Sequence, residues 1–284
     1  MQMHQFFLFY CDIILIRKGD FMGNILITGA ASGIGNAVMN YFINNNHIVY
    51  AIDVKEVEPR NNLYTFIGDI TNEQCLNVIK DDLKNNGVTF DAIINVAGIH
   101  KMASLVESDF VNMKKLIDIN LCGTMLVNNV FHSLLNEKGR IIIVTSEVAT
   151  FDPMPFNGLY NISKTALECY AQALRQELNL LGQKVITIRP GAIETNLSKS
   201  SLIDTEELSN NTILYKKQAS KFVSITKKFM GKPLKPEKLA RLIYKVYICN
   251  NPKISYNIHR NPGLVLLNLL PKTLQCFIIK MILN

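Results

Sequence analysis

The sequence predicts an α/β protein: a doubly wound parallel sheet of about seven strands with helices on both faces, forming a single domain with a C-terminal helical extension. Three observations carry that expectation. From Asn24 onward, short β-type runs alternate with helical patterns. One run, residues 90–97, is almost continuously apolar, as a strand buried on both faces must be. The 284 residues, 48% apolar and 19% charged, suffice for a sizeable core and need only one, since α/β folds of roughly 250 residues often form a single domain.

The elements follow in order. Residues 24–28 are a short apolar strand, and 33–45 read as a helix stopped by an Asn run. Residues 47–53 and 63–67 supply the second and third strands. Thr71 or Asn72 caps a helix that runs to about residue 86, where Gly87 stops it. After the apolar strand 90–97 come a long helix over about 108–135, a strand over 140–146, a helix over about 157–181 and a strand over 184–189 closed by Pro190-Gly191. The rhythm then changes. Residues 195–236 are polar and Lys-rich with short helical patches, 236–249 form a helix, and 253–258 could be a last strand. An apolar tail follows, in two pieces over 263–270 and 272–283. The expected organisation is thus a core over 22–194, a lid, helix and last strand over 195–262 completing the same domain, and a helical tail over 263–284.

The first 21 residues stand apart. Their apolar run, residues 6–16, is too short to span a bilayer and contains Asp12. Arg17 and Lys18 follow the run instead of preceding it, which fits a secretory signal poorly. Arg17-Lys18-Gly19-Asp20-Phe21 is what a purine-rich ribosome-binding sequence of bacterial type would encode if read in frame just before Met22. We therefore expect translation to start at Met22, an N-terminal membrane anchor being the competing reading.

Charge is unevenly spread. The formal net charge is +7, yet Lys plus Arg outnumber Asp plus Glu by 15 to 4 after residue 197 and trail them by 15 to 19 before it. A uniform basic coat for nucleic acid would not look like this. The six cysteines show no C-x-x-C pair, and no metal site is expected. A reduced, cytoplasmic setting is the default.

The turn Thr28-Gly29-Ala30-Ala31-Ser32-Gly33-Ile34-Gly35 joins the first strand to the first helix. Glycines there permit positive φ and let the backbone approach a pyrophosphate, while the helix N-terminus supplies amides and a favourable dipole. Asp53 ends the second strand, where a carboxylate would accept from an adenosine ribose and repel a 2′-phosphate. NAD(H) is therefore favoured; the nearby Lys55 and Arg60 leave NADP(H) open. Tyr160 and Lys164 stand four apart on one helix face, so a cation can stabilise a phenolate near neutral pH. Ser146 closes a strand at the carboxyl edge of the sheet, and Asn120 is an amide inside a helix that would need partners if buried.

Taken together, these motifs resemble the short-chain dehydrogenase/reductase family from Asn24 to about Thr195. Residues 28–35 match its T-G-x-x-x-G-I-G, with Gly29, Ser32, Gly33, Ile34 and Gly35 on the cofactor. Asp69-Ile70 match its adenine-contacting pair, and Asn95-Val96-Ala97-Gly98 its N-N-A-G, with Val96 in place of the second Asn. Asn120, Ser146, Tyr160 and Lys164 match its catalytic tetrad. Thr145 replaces the more usual Ser before Ser146, and neither departure removes a catalytic atom. Pro190-Gly191 with Ile193 and Thr195 match its P-G-x-x-x-T.

The resemblance implies hydride transfer between a nicotinamide and a secondary alcohol or ketone. Tyr160 would act as acid and base, Lys164 would hold the nicotinamide ribose and lower the Tyr160 pKa, Ser146 would polarise the substrate oxygen, and Asn120 would hold a relaying water. Family habit adds a homodimer or homotetramer. The expected substrate is hydrophobic, steroid-like or lipid-like. The lid's Lys cluster (Lys216, Lys217, Lys221, Lys227, Lys228, Lys232, Lys235) could meet an anionic substrate, acidic lipid headgroups or only water, a solvated face being the commonest outcome for such runs. A 3-oxoacyl reductase and a non-catalytic dinucleotide sensor are the alternatives. In the tail, Leu274, Phe277, Ile278, Met281 and Ile282 form an apolar helical stripe. It is expected to be buried near the cleft or at an interface, with peripheral membrane contact as the second reading.

Overall fold

The computed structural model describes residues 22–195, 206–229 and 231–284. The N-terminal extension over 1–21 and the Lys227 and Lys228 side chains of the Lys cluster lie outside the described residues. Seven parallel strands form one sheet in the order β3-β2-β1-β4-β5-β6-β7. They are β1 (Asn24–Thr28), β2 (Ile48–Asp53), β3 (Leu63–Ile67), β4 (Phe90–Asn95), β5 (Leu135–Val144), β6 (Lys184–Pro190) and β7 (Ser255–Ile258).

The sheet is doubly wound because each strand alternates its side chains between two apolar cores. Ile25 and Ile27 of β1 meet Met39 and Phe42 of α1 (Gly33–Ile43) on one face, with Leu239 and Ile243 from Pro236–Ile248. Leu26, between them, faces the other core with Leu76 of α2 (Glu73–Asn85), Phe131 of Thr124–Phe131 and Leu167 and Ala171 of Gly158–Asn179. Each such fully buried Ile or Leu contributes about 1.5–3 kcal/mol. α2 starts where Asn72 Oδ1 accepts from the Cys75 amide at 3.0 Å, and the chain turns away after it at Gly87, φ +68°.

Three expectations change. The long helix over 108–135 is interrupted: α3 (Phe110–Ile117) passes through a π-helical turn, Asp118–Gly123, before α4 (Thr124–Phe131). β5 starts at Leu135 rather than 140, because Leu135 pairs with Phe90 across a bulge, and it ends at Val144. Ser146 therefore lies beyond the strand, capping a short 3-10 turn, Glu147–Thr150, instead of ending the strand.

Further helices are α5 (Gly158–Asn179), α6 (Lys216–Phe229), α7 (Pro236–Ile248), α8 (Pro262–Leu267) and α9 (Lys272–Leu283). Within the single chain the tail's apolar stripe stays largely uncovered: Leu274, Phe277, Met281 and Ile282 are exposed, while Gln275 and Leu283 turn inward. None of the stripe lines the cleft described below. No helix among the described residues is long and apolar enough to cross a membrane.

Candidate active site

Strand order reverses between β1 and β4, whose carboxyl ends lie side by side at Thr28 and Asn95. A parallel sheet opens a crevice at such a point. Here the crevice is a cleft of about 680 Å³ running from the start of α1 across the ends of β4 and β5 to α5.

Its nucleotide end is shaped by absent side chains. Gly29 has φ +72°, and a Cβ there would sit 2.8 Å from the Ala97 backbone. Thr28 Oγ1 accepts from the Val96 and Ala97 amides at 3.2 and 3.3 Å and so locks the turn to the end of β4. Ser32, the residue before α1, makes no side-chain capping bond, and the first turn of α1 carries no acidic residue. The helix N-terminus therefore presents amides and a positive dipole end to the cleft, the chemistry a pyrophosphate requires. Asp53 stands beside it, accepting from the Ala31 amide at 3.0 Å and the Lys55 amide at 2.9 Å. These two amides hold the carboxylate at the mouth of the cradle. The residues present fit a nicotinamide dinucleotide.

The other end gathers the polar cluster. Tyr160, Lys164 and Ser146 all line the cleft. Lys164 Nζ lies 5.7 Å from the centre of the Tyr160 ring and donates to the Val144 carbonyl at 3.3 Å. Burial pushes the Tyr160 phenol up to about 12, against the opposing hydrogen bond with Ser146. Burial also brings the Lys164 ammonium down to about 8. In the chain itself, desolvation is the largest influence on both groups.

Of the expected cofactor residues, Gly29, Ser32, Gly33, Ile34, Gly35, Asp53, Asp69, Ile70, Ala97, Gly98, Pro190, Gly191, Ile193 and Thr195 all line the cleft, and Asn95 does not. Its amide donates to Asn128 Oδ1 at 2.8 Å beneath the sheet edge. Nor does Asn120 line the cleft. Its amide donates to the Ile99 carbonyl at 2.8 Å and Ser163 Oγ at 3.1 Å and accepts from the Ile99 amide at 2.8 Å. It braces the strand-end loop that carries His100.

Two groups were invisible to motif reading. His100 packs edge-on against Tyr160, ring centres 4.5 Å apart, with Nε2 3.0 Å from Asn157 Oδ1. Burial lowers its pKa to about 4, so it stays neutral in ordinary buffers. Glu147, raised by burial, accepts from the Asn261 amide at 2.7 Å, which ties the rim of the cleft to the start of α8. An acidic residue directly after Ser146 was the only signal, and its partner lies more than a hundred positions away.

A dinucleotide cradle and a half-buried phenol sharing one crevice define a class, the nicotinamide-dependent α/β oxidoreductases. Residues 23–206 match the short chain dehydrogenase family, and the chain belongs to it: an NAD(P)-dependent oxidoreductase acting on CH–OH and carbonyl groups. The chain is 33% identical over 202 residues to an NADPH-dependent 1-acyldihydroxyacetone phosphate reductase of Schizosaccharomyces pombe, the match covering 67% of each chain. It is 27% identical over 234 residues to a 3-ketodihydrosphingosine reductase of Bacteroides thetaiotaomicron, covering 80% of this chain and 84% of that one. Among solved structures, a short chain dehydrogenase family protein from Francisella tularensis aligns with TM-score 0.68 at 26% identity, over 84% of this chain and 98% of that one.

Proposed function

We propose that this protein reduces a hydrophobic, lipid-like ketone to a secondary alcohol with NADH, with Tyr160 as the proton donor. The observation that carries the reading is that Tyr160, Lys164 and Ser146 line the same cleft as the turn from Gly29 to Gly35. A phenol raised by burial is protonated at neutral pH and can begin as an acid, and the relatives named as reductases support the reducing direction. The bound cofactor supplies a hydride to the carbonyl carbon. Tyr160 gives its proton to the carbonyl oxygen, so that C=O becomes CH–OH, and the ensuing phenolate is stabilised by the Lys164 ammonium 5.7 Å from its ring. Ser146 orients the substrate oxygen by a hydrogen bond. Asn120 acts as a positioning residue through Ile99, and His100 fixes the Tyr160 ring from its edge.

The cradle would hold the pyrophosphate on the turn from Gly29 to Gly35, adenine against Asp69 and Ile70, the nicotinamide end near Ala97, Gly98, Pro190, Gly191, Ile193 and Thr195, and its ribose on Lys164. Asp53 supports NADH over NADPH, because its carboxylate beside the turn would repel a 2′-phosphate brought near it. The NADPH-dependent relative makes that preference a sharp test. NADH should bind at least roughly tenfold more tightly than NADPH, and Asp53→Ser should erase the difference.

A lipid-like substrate is supported by Ile99, Val148 and Ala192 lining the cleft and by relatives named for acyl- and sphingosine-type ketones. Exposed Phe110 and Val111 on α3 and Met125 on α4 support a homodimer or homotetramer in which a second copy covers them. The decisive experiment follows NADH absorbance with long-chain, steroid and acyl-thioester ketones for the native protein and Tyr160→Phe. Turnover on a long-chain or steroid ketone that falls roughly 10³-fold in the variant, with NADH binding intact, supports the proposal. Turnover on the thioester alone indicates a 3-oxoacyl reductase, and NADH binding without turnover a non-catalytic sensor.

A further inference from the structure

We infer that the outer face of α9, with the exposed leucines of α8 and the turn after it, docks on an anionic lipid surface. The orientation of α9 is the reverse of what water selects. Leu274, Phe277 and Met281, at positions i, i+3 and i+7, stand on one face and are 41%, 59% and 66% exposed, while Gln275 is buried. Leu266 and Leu269 extend the apolar surface at 67% and 76% exposure.

Polar anchors specify this inversion. Gln275 Nε2 donates to Asp152 Oδ2 at 3.1 Å and to the Leu270 carbonyl at 2.9 Å. Asn268 Oδ1 accepts from the Asp152 amide at 2.6 Å, and Lys272 pairs with Asp152 at 3.1 Å. At the far end, Gln218 Nε2 of α6 donates to Asn284 Oδ1 at 2.9 Å. A helix held this way presents its stripe outward because the chain fixes it there, and such a surface needs a partner.

Charge selects the partner. Lys221 of α6 shares a shallow depression with Ile282, and Lys280, Lys216 and Lys217 are exposed on the same two packed helices. No Asp or Glu occurs in α6, α8 or α9, nor anywhere from Lys238 to Asn284. A second copy placed on this face by two-fold symmetry would bring Lys against Lys. An anionic bilayer satisfies both features, taking the apolar side chains below the headgroups and the lysines among them. Because Asn261, which caps α8, lines the cleft and is bonded to Glu147, docking sets the mouth of the cleft beside the membrane. This consequence rests on the lipid-like substrate; the docking itself does not.

The test is co-sedimentation of the full chain with phosphatidylcholine vesicles, with and without phosphatidylserine, at low and high salt. The protein should pellet with the phosphatidylserine vesicles, less at high salt, and little with phosphatidylcholine alone. Phe277→Glu with Met281→Glu should abolish pelleting, and Lys221→Glu with Lys280→Glu should weaken it at least roughly tenfold. Both double variants should keep the native melting temperature and NADH affinity, since these side chains lie outside the cleft. Equal pelleting with both vesicle types, or pelleting unchanged in the Phe277/Met281 variant, overturns the inference. So does a protein that ignores vesicles but changes from oligomer to monomer in that variant, which assigns the face to a second copy.

Discussion

Tyr160 and Lys164 are buried in ways that oppose their own charged forms, and that opposition has a measurable cost. An ammonium brought down from its ordinary value to about 8 has a folded pKa below its unfolded one. The unfolded chain then binds more protons between the two values, so stability rises with pH from about 8 to roughly 10.4, and below that window the buried cation costs roughly 3 kcal/mol. Lys164→Met, which keeps the shape and removes the charge, should lose turnover yet melt at a higher temperature than the native protein at neutral pH, both measured without cofactor. A lower melting temperature would show that the Val144 carbonyl bond outweighs desolvation. These two residues were legible in the sequence because a helix fixes i and i+4 on one face. His100 was not, since its place against Tyr160 depends on a loop from β4 and a helix sixty positions on.

Among the elements, the π-helical turn between α3 and α4 bears most on the site, because it points Asn120 inward at Ile99 and Ser163. One extra residue in a turn hardly disturbs the apolar spacing, so the segment reads as one unbroken helix. β5 was misjudged for a related reason: Asn136-Glu137-Lys138-Gly139 looks like a turn, and only the pairing of Leu135 with Phe90 makes it strand. By contrast, β1, β3 and α9 run where the pattern puts them, since each is bounded by Gly, Asn or Pro. The turn also explains Gly123, where a Cβ would come within 2.7 Å of Ile70 Cδ1. Gly123→Ala should displace Ile70 from the nucleotide end of the cleft, weakening NADH binding several-fold and costing about 1 kcal/mol of stability. Calorimetric titration and urea melts read the two effects, and an unchanged NADH affinity would detach Ile70 from the adenine.

For the molecule as a whole, the catalytic helix must be held against the sheet, and Glu168 is the main polar tie. It sits on α5 two turns from Tyr160 and receives Arg189 of β6 through two bonds of 2.8 and 2.7 Å, with Thr145 at 2.6 Å. Burial pushes its carboxyl up, but the hydrogen bonds from Arg189, Thr145 and Thr187 outweigh burial and hold it below the usual carboxylate range. A depressed folded pKa contributes stability that is present above the unfolded value and lost as pH falls through the folded one. Glu168→Gln leaves the half-buried Arg189 without its counter-charge, a loss of roughly 2 kcal/mol at neutral pH given that both side chains keep some contact with water. The deficit should shrink at acid pH, where the native Glu168 is itself protonated. Urea titrations at neutral pH and at the lowest pH where the native protein still folds separate this from a packing defect, which would leave the deficit constant. Because the tie joins Thr145 just beyond β5 to β6 and α5, the variant should also lower turnover by loosening Tyr160 and Lys164 while NADH binding at the α1 turn persists.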